Sequence, residues 1–323
     1  MSLLLRNLPT AIVVSTGVLC ASAVAPLRAQ DAVTNSAVQQ SQNFSQSPTG
    51  TSRVDANGMA LPQGSTPEEE NADADIGEQW VMKHNQKPTF FTVFGDISEY
   101  YTSNVALTNT PELADSFFVA SFGIAYTRPF AGIWTVNAGV SESLFRYATY
   151  NEFDFNSLNV GAGVSVLVHP LWDSVWSFQY GFNHLNHEFD SGFLFSGHSF
   201  TIAGTKSIQL STADSVSFGV AGGYNLADPS SLENFDASVF LSYSVALTRQ
   251  LSLSANYKGT FYAYTEGSRK DFNNAISAVA RFNINRWFSI SASVSGVFNE
   301  SNETPFQYKS LNFGGGLSAT VHF

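Results

Sequence analysis

The chain has 323 residues, 44% of them hydrophobic and only 13% charged, against about 25% charged in an average globular domain. A formal net charge of -11 excludes the basic footprint that nucleic-acid binding requires. Beyond the N-terminus there is no run of 18 apolar residues, which excludes a helical membrane span.

Residues 1–29 read as a secretory signal peptide. Arg6 supplies the positive start, an apolar stretch follows from Leu8 to Val24, and small residues lead up to Ala29. Cleavage is expected at Ala29-Gln30, with Ala23 as the alternative site. The single cysteine, Cys20, lies inside this stretch behind Leu19, where a lipoprotein signal needs a small residue. Without it the exported chain has no disulfide to staple it, and loss of Arg6 and Arg28 leaves 13 basic against 26 acidic residues.

From residue 30 to 88 the composition turns to Gln, Ser, Thr, Asn, Pro and acids, including Glu68-Glu69-Glu70. Such a segment buries too little apolar area to offset chain entropy, so it is expected to be a disordered periplasmic tail rather than a plug. Only Ile76 to Asn85, with Trp80, Val81 and Met82, has the pattern of a short docking helix.

Residues 89–323 carry a period of two. Leu311, Phe313, Gly315, Leu317, Ala319, Val321 and Phe323 alternate with Ser310, Asn312, Gly314, Gly316, Ser318, Thr320 and His322. Twelve such stretches fall within 89–102, 116–128, 132–147, 156–169, 174–187, 198–210, 214–226, 236–248, 251–265, 272–285, 287–299 and 309–323. Soluble strands cluster near 5 to 6 residues, whereas a tilted membrane strand needs about 9 to 11 within the hydrocarbon. Connections alternate between long polar loops, such as Ser103 to Asp115, and short turns, such as Pro170 to Asp173. The expectation is an all-β fold, a twelve-stranded antiparallel up-and-down barrel with both termini inside. Lipid leaves no place for an unpaired strand edge, so the first strand must pair with the last.

The terminal Phe323, preceded by Val321, Ala319 and Leu317, completes a pattern that resembles Gram-negative outer-membrane β-barrels over residues 89–323. The resemblance implies a porin-like architecture in the cell outer membrane, contact with membrane lipid and lipopolysaccharide, and recognition of Phe323 and Val321 by the barrel-assembly machinery. It does not specify an activity.

Function must then lie in the lumen. Its expected lining is small and polar: Ser252, Ser254, Asn256 and Thr260, or Ser217, Gly219, Ala221 and Gly223. Twelve strands close at a backbone diameter of roughly 20 to 24 Å, which short side chains would leave open by about 10 Å. Lys258 and Arg281 are expected inward, at similar depth on neighbouring strands, with Asp96 on the far side. Glu142 and Arg146 fall on the outward face unless a bulge near Ser141 returns them to the lumen, and the bulge is the expectation adopted. Lys206 also falls outward but close enough to the periplasmic end to snorkel.

These features point to passive diffusion of small hydrophilic solutes or ions. A non-conducting structural or surface-interaction barrel is the alternative, and an outer-membrane lipid hydrolase a more distant one. The hydrolase families resembled place His and Ser two residues apart, and no His-x-Ser occurs here; His184 and His187 point to opposite faces of their strand. Phosphate loops and metal-ligand clusters are missing from the sequence, so no cofactor, metal or catalytic residue is expected. Of 18 acids in residues 89–323, 13 lie in or beside the long loops, from Glu112 and Asp115 to Glu300 and Glu303, which suggests an acidic external rim.

Overall fold

The computed structural model describes residues 33–42, 89–130, 132–187 and 192–323. The alternating stretches form β1 (Phe91–Thr102), β2 (Asp115–Phe130), β3 (Trp134–Tyr147), β4 (Phe155–Val168), β5 (Ser174–His187), β6 (Phe193–Gln209), β7 (Asp214–Asp228), β8 (Asn234–Ala246), β9 (Leu251–Tyr264), β10 (Lys270–Asn283), β11 (Phe288–Ser301) and β12 (Tyr308–His322). Each pairs antiparallel with its chain neighbours and β1 pairs with β12, so the sheet closes on itself. Among the described strands no sheet edge is left to face lipid.

The seam is completed from the last residue. Phe323 donates its backbone N–H to the Phe91 carbonyl, and its own carbonyl accepts from the N–H groups of Phe90 and Phe91. Val321 sits opposite Val93 on β1.

Outward positions are large and apolar, as in Phe118, Phe122 and Ile124 on β2 or Ile290, Val294 and Phe298 on β11. Their exposure, 57% for Phe122 and 56% for Ile276, would be a large apolar patch in water. Continued around the barrel it forms the belt of a membrane-spanning protein. Trp134 and Trp287 stand at its lower margin, at the start of β3 and immediately before β11, where amphipathic rings suit the lipid headgroups.

Most strand ends fall within two residues of the sequence reading, and two of the differences have a local cause. β2 runs through Pro129 to Phe130, with Pro129 opposite Thr135; a proline is tolerated at the end of a ladder, where its missing N–H costs little. β6 begins at Phe193, five residues before the expected start, because the pairing resumes across a register shift at Leu185/Asn186. The shift supplies the extra residue that a regular period-two pattern cannot accommodate.

Within the 30–88 segment expected to be disordered, residues 33–42 form a helix, α1. Thr34, Ala37 and Val38 fall on one helical face and are buried, together with Ser36 and Gln40. The docking helix expected at Ile76 to Asn85 lies outside the described residues.

Candidate functional site: a lumen of two halves

Side-chain alternation from the observed registers gives the lining. In the periplasmic half it is mostly small and polar, as the sequence implied, with Val279 and, at mid-depth, Phe240 as apolar exceptions. Ser207 and Ser217 share a hydrogen bond at 2.7 Å, Ser215 and Ser244 one at 3.0 Å, and Ser242 donates to Asn256 at 2.7 Å. At mid-depth on β1 to β3, just below the external half, Ser143 donates to Ser121 at 2.9 Å, and Ser98 donates to the Asp96 carboxylate at 3.0 Å. Gln179 lies flat over Gly163, where a Cβ would meet its Oε1 at 2.0 Å, so a glycine is required for that side chain to stay against the wall.

The external half is different. Inward positions of β1 to β6 carry Tyr100, Phe117, Val119, Phe145, Tyr147, Phe155, Leu185 and Phe195, all buried. Their rings form a continuous band across strands: Tyr100 on Phe117 at 5.5 Å, Phe117 on Phe145 at 6.5 Å and Phe145 on Phe155 at 4.3 Å between centroids. Such offset contacts each add about 0.5 to 1.5 kcal/mol beyond area burial.

α1 packs on this band, with Ala37 and Val38 buried in the same cluster and Val33 partly buried against it. Three side-chain hydrogen bonds spread it across the mouth. Ser36 donates to the Val105 carbonyl in the β1–β2 loop at 2.5 Å, Ser41 shares a bond with Ser157 on β4 at 3.2 Å, and Tyr308 on β12 donates to Gln39 at 3.0 Å. Burying a valine such as Val38 stabilises by about 1.5 to 3 kcal/mol, whereas each ordered residue of backbone costs roughly 1 to 2 kcal/mol. α1 therefore belongs at the low-stability end of the molecule. The expected opening of about 10 Å is corrected accordingly for the external half, which is filled.

Facing the aromatic band is a polar wall. Arg269 forms a 2.5 Å pair with Asp271, both buried, and its guanidinium is held between the rings of Tyr264 and Phe306 at 4.0 and 3.6 Å. Asn273 donates to Asn299 and to Tyr308 at 3.3 and 3.2 Å, tying this wall to the anchor of α1.

The candidate lumen charges are distributed unevenly. Asp96, Lys258 and Arg281 do face inward, opposite Ser121, Ala275 and Ser252 respectively. Lys258 and Arg281 are not at similar depth, however. Arg281 pairs with position 252 of β9, six residues from Lys258, which is about 20 Å along the strand. Counting back from the shared loop failed because Arg281 is eleven residues beyond Lys270, where β10 starts, and Lys258 only six before Tyr264, where β9 ends. Lys258 instead interacts electrostatically with Asp236 on β8.

Glu142 and Arg146 are corrected outright. The β2–β3 register runs unbroken, Glu142 opposite the outward Phe122 and Arg146 opposite the outward Phe118, so no bulge returns them to the lumen. Arg146 folds along the external border and donates to the carbonyls of Phe145 and Phe155 and to Asn156 Oδ1 at 2.7, 3.1 and 2.7 Å. Backbone acceptors there remove the need for a bulge.

Lys206 is outward and reaches down to donate to the Trp172 carbonyl in the periplasmic turn. Beside it, a hydrogen bond from His169 at 2.7 Å, and secondarily the Lys206 charge, hold the Asp173 carboxyl below its ordinary range.

The acidic rim is thinner than its residue count suggests. Asp115 and Asp154 are buried; Asp115 accepts from the N–H groups of Thr149 and Tyr150, and Asp154 accepts from that of Tyr147. With Asp271 paired to Arg269, three of the thirteen loop acids fix loop geometry. Glu188 and Asp190 lie outside the described residues.

A scan against protein-family models finds no match, and a search of curated proteins finds none either. Among solved structures the barrel is similar to an outer membrane channel from Pseudomonas putida F1, with a TM-score of 0.51 and 9% identity over 76% of this chain and 100% of that chain. It is also similar to the translocator domain of autotransporter NalP from Neisseria meningitidis (TM-score 0.41, 10% identity, 73% of this chain and 90% of that chain). An anion-selective porin from Comamonas acidovorans shares 8% identity over 72% of this chain and 99% of that chain, with a TM-score of 0.39. At these identities the likeness is one of fold. The closed antiparallel ring of twelve strands with its outward apolar belt gives the chain the fold of a transmembrane β-barrel, the fold it shares with the Pseudomonas putida channel.

Proposed function

We propose that this barrel is a channel for passive diffusion of small hydrophilic solutes or ions. The observation that carries the reading is the periplasmic half of the lumen, where hydroxyl and amide side chains on β6 to β9 bond to one another and leave a polar surface of short side chains. Filling that space with bulky residues is the usual way a small barrel is made solid. In this reading Lys258, Arg281 and Asp96 line the path. The external loops meet lipopolysaccharide, and Phe323 and Val321 address the barrel-assembly machinery.

A second reading, a non-conducting structural or surface-interaction barrel, is favoured by one observation: the external half of the lumen is packed with aromatic rings and α1. A lipid hydrolase has less support. His184 and His198 lie on the outer face, on Phe182 at 6.2 and 5.0 Å, but His198 is engaged by the Tyr180 hydroxyl at 2.8 Å rather than by a serine that it could activate.

Purified protein reconstituted into a planar bilayer decides between channel and plain barrel. Discrete conductance steps that scale with salt are expected; a silent bilayer containing folded, heat-modifiable protein would favour the second reading.

A further inference from the structure

We propose that α1 is a plug supplied by the chain itself, a docked segment whose release from the aromatic band opens the external half of the lumen. The inference rests on the channel reading and adds its regulation.

Three features of the contact carry it. First, α1 is uncharged over all ten residues, VTNSAVQQSQ, so it enters and leaves a narrow lumen without moving a charge through a low-dielectric wall. Second, its apolar contact with the barrel is small, centred on Ala37 and Val38, while the band beneath it is built independently of it by rings stacked from β1 to β4. The seat therefore keeps its own packing when α1 leaves. Third, the anchors reach two sides of the rim: Val105 and Tyr308 lie together where β1 meets β12, and Ser157 lies on β4. β4 and β12 are four steps apart around the ring, so a segment bonded to both crosses the opening rather than lining one wall.

Ser157 and Tyr308 also have barrel partners. Asn183 donates to the Ser157 hydroxyl at 3.1 Å, and Asn273 donates to the Tyr308 hydroxyl at 3.2 Å. Undocking thus exposes polar groups that are already partly satisfied, as an open, water-filled mouth requires.

The test uses the full chain in planar bilayers with three variants. Deletion of residues 33–42 is expected to raise single-channel conductance at least twofold. Ala37→Glu, which puts a carboxylate against the band, should do the same if the deletion fails to fold. In Ser41→Cys combined with Ser157→Cys, whose parent hydroxyls share a hydrogen bond, oxidation should form a disulfide, lower conductance below wild type and remove opening transitions, and reduction should restore them. Equal, non-zero conductance in wild type, deletion and oxidised protein would overturn the plug while leaving the channel reading intact. Failure of the cysteine pair to crosslink in oxidised, folded protein would overturn the docking. If the disulfide forms but every variant is silent, the channel reading falls and α1 is a structural filler rather than a gate.

Discussion

At the scale of single residues, the face on which a charge lies decides its effect. Glu142 sits opposite Phe122 on one side and Leu158 on the other, within the lipid-facing set. An acid there is disfavoured, though by less than the roughly 2 to 4 kcal/mol of a midplane Arg or Lys. Glu142→Leu is therefore expected to stabilise the folded barrel by about 1 kcal/mol in urea unfolding from lipid vesicles, and to leave ion selectivity unchanged. A loss of stability, or a selectivity change, would place the carboxylate in the lumen instead. Lys206 shows why a second outward charge is tolerated: its stem lies along the apolar belt while its ammonium reaches the Trp172 carbonyl in the turn.

At the scale of elements, the strands were legible because lipid on one side and a hydrophilic lumen on the other enforce strict alternation, as in Ser289, Ser291, Ser293 and Ser295 against Ile290, Ala292 and Val294. Where both faces are apolar the pattern weakens, and the aromatic band was missed for that reason. The signal is present in Phe117-Phe118 and Leu144-Phe145, where consecutive large residues at the external ends of β2 and β3 mean an apolar interior as well as an apolar exterior. α1 was not legible. Its composition is polar, and its helical state depends on hydrogen bonds to Val105, Ser157 and Tyr308, far away in sequence. The last strand has a role that both levels describe: its alternation resembles an assembly signal, and in the fold Phe323 supplies three backbone hydrogen bonds at the seam with the residues that start β1. Deleting Phe323 should lower outer-membrane levels several-fold and increase the unfolded fraction on an unboiled gel. Wild-type levels of heat-modifiable protein would show that the seam and the assembly signal are both intact without it.

At the scale of the whole molecule, the lumen is polarised along its axis, filled by aromatic packing toward the outside and lined by hydroxyls toward the periplasm, and its charges follow no single constriction. Lys258 lies midway along β9, within reach of the Asp236 field, whereas Arg281 lies near the periplasmic end of β10. Their separation of about 20 Å along the strands is roughly twice the Debye length of about 10 Å at 0.1 M salt, so in the proposed channel each would act on a permeating ion at a different point of its path. Replacing either cation by an acid makes its own stretch of the lumen more negative, which favours cations there. Lys258→Glu and Arg281→Glu should each move the reversal potential in a salt gradient toward the cation value, and the double variant should show close to the sum of the two shifts, as independent sites do. If both cations instead formed one wall of a single constriction, the second reversal would add little to the first. An unchanged reversal potential in a conducting double variant would mean that neither residue lines the path that ions take.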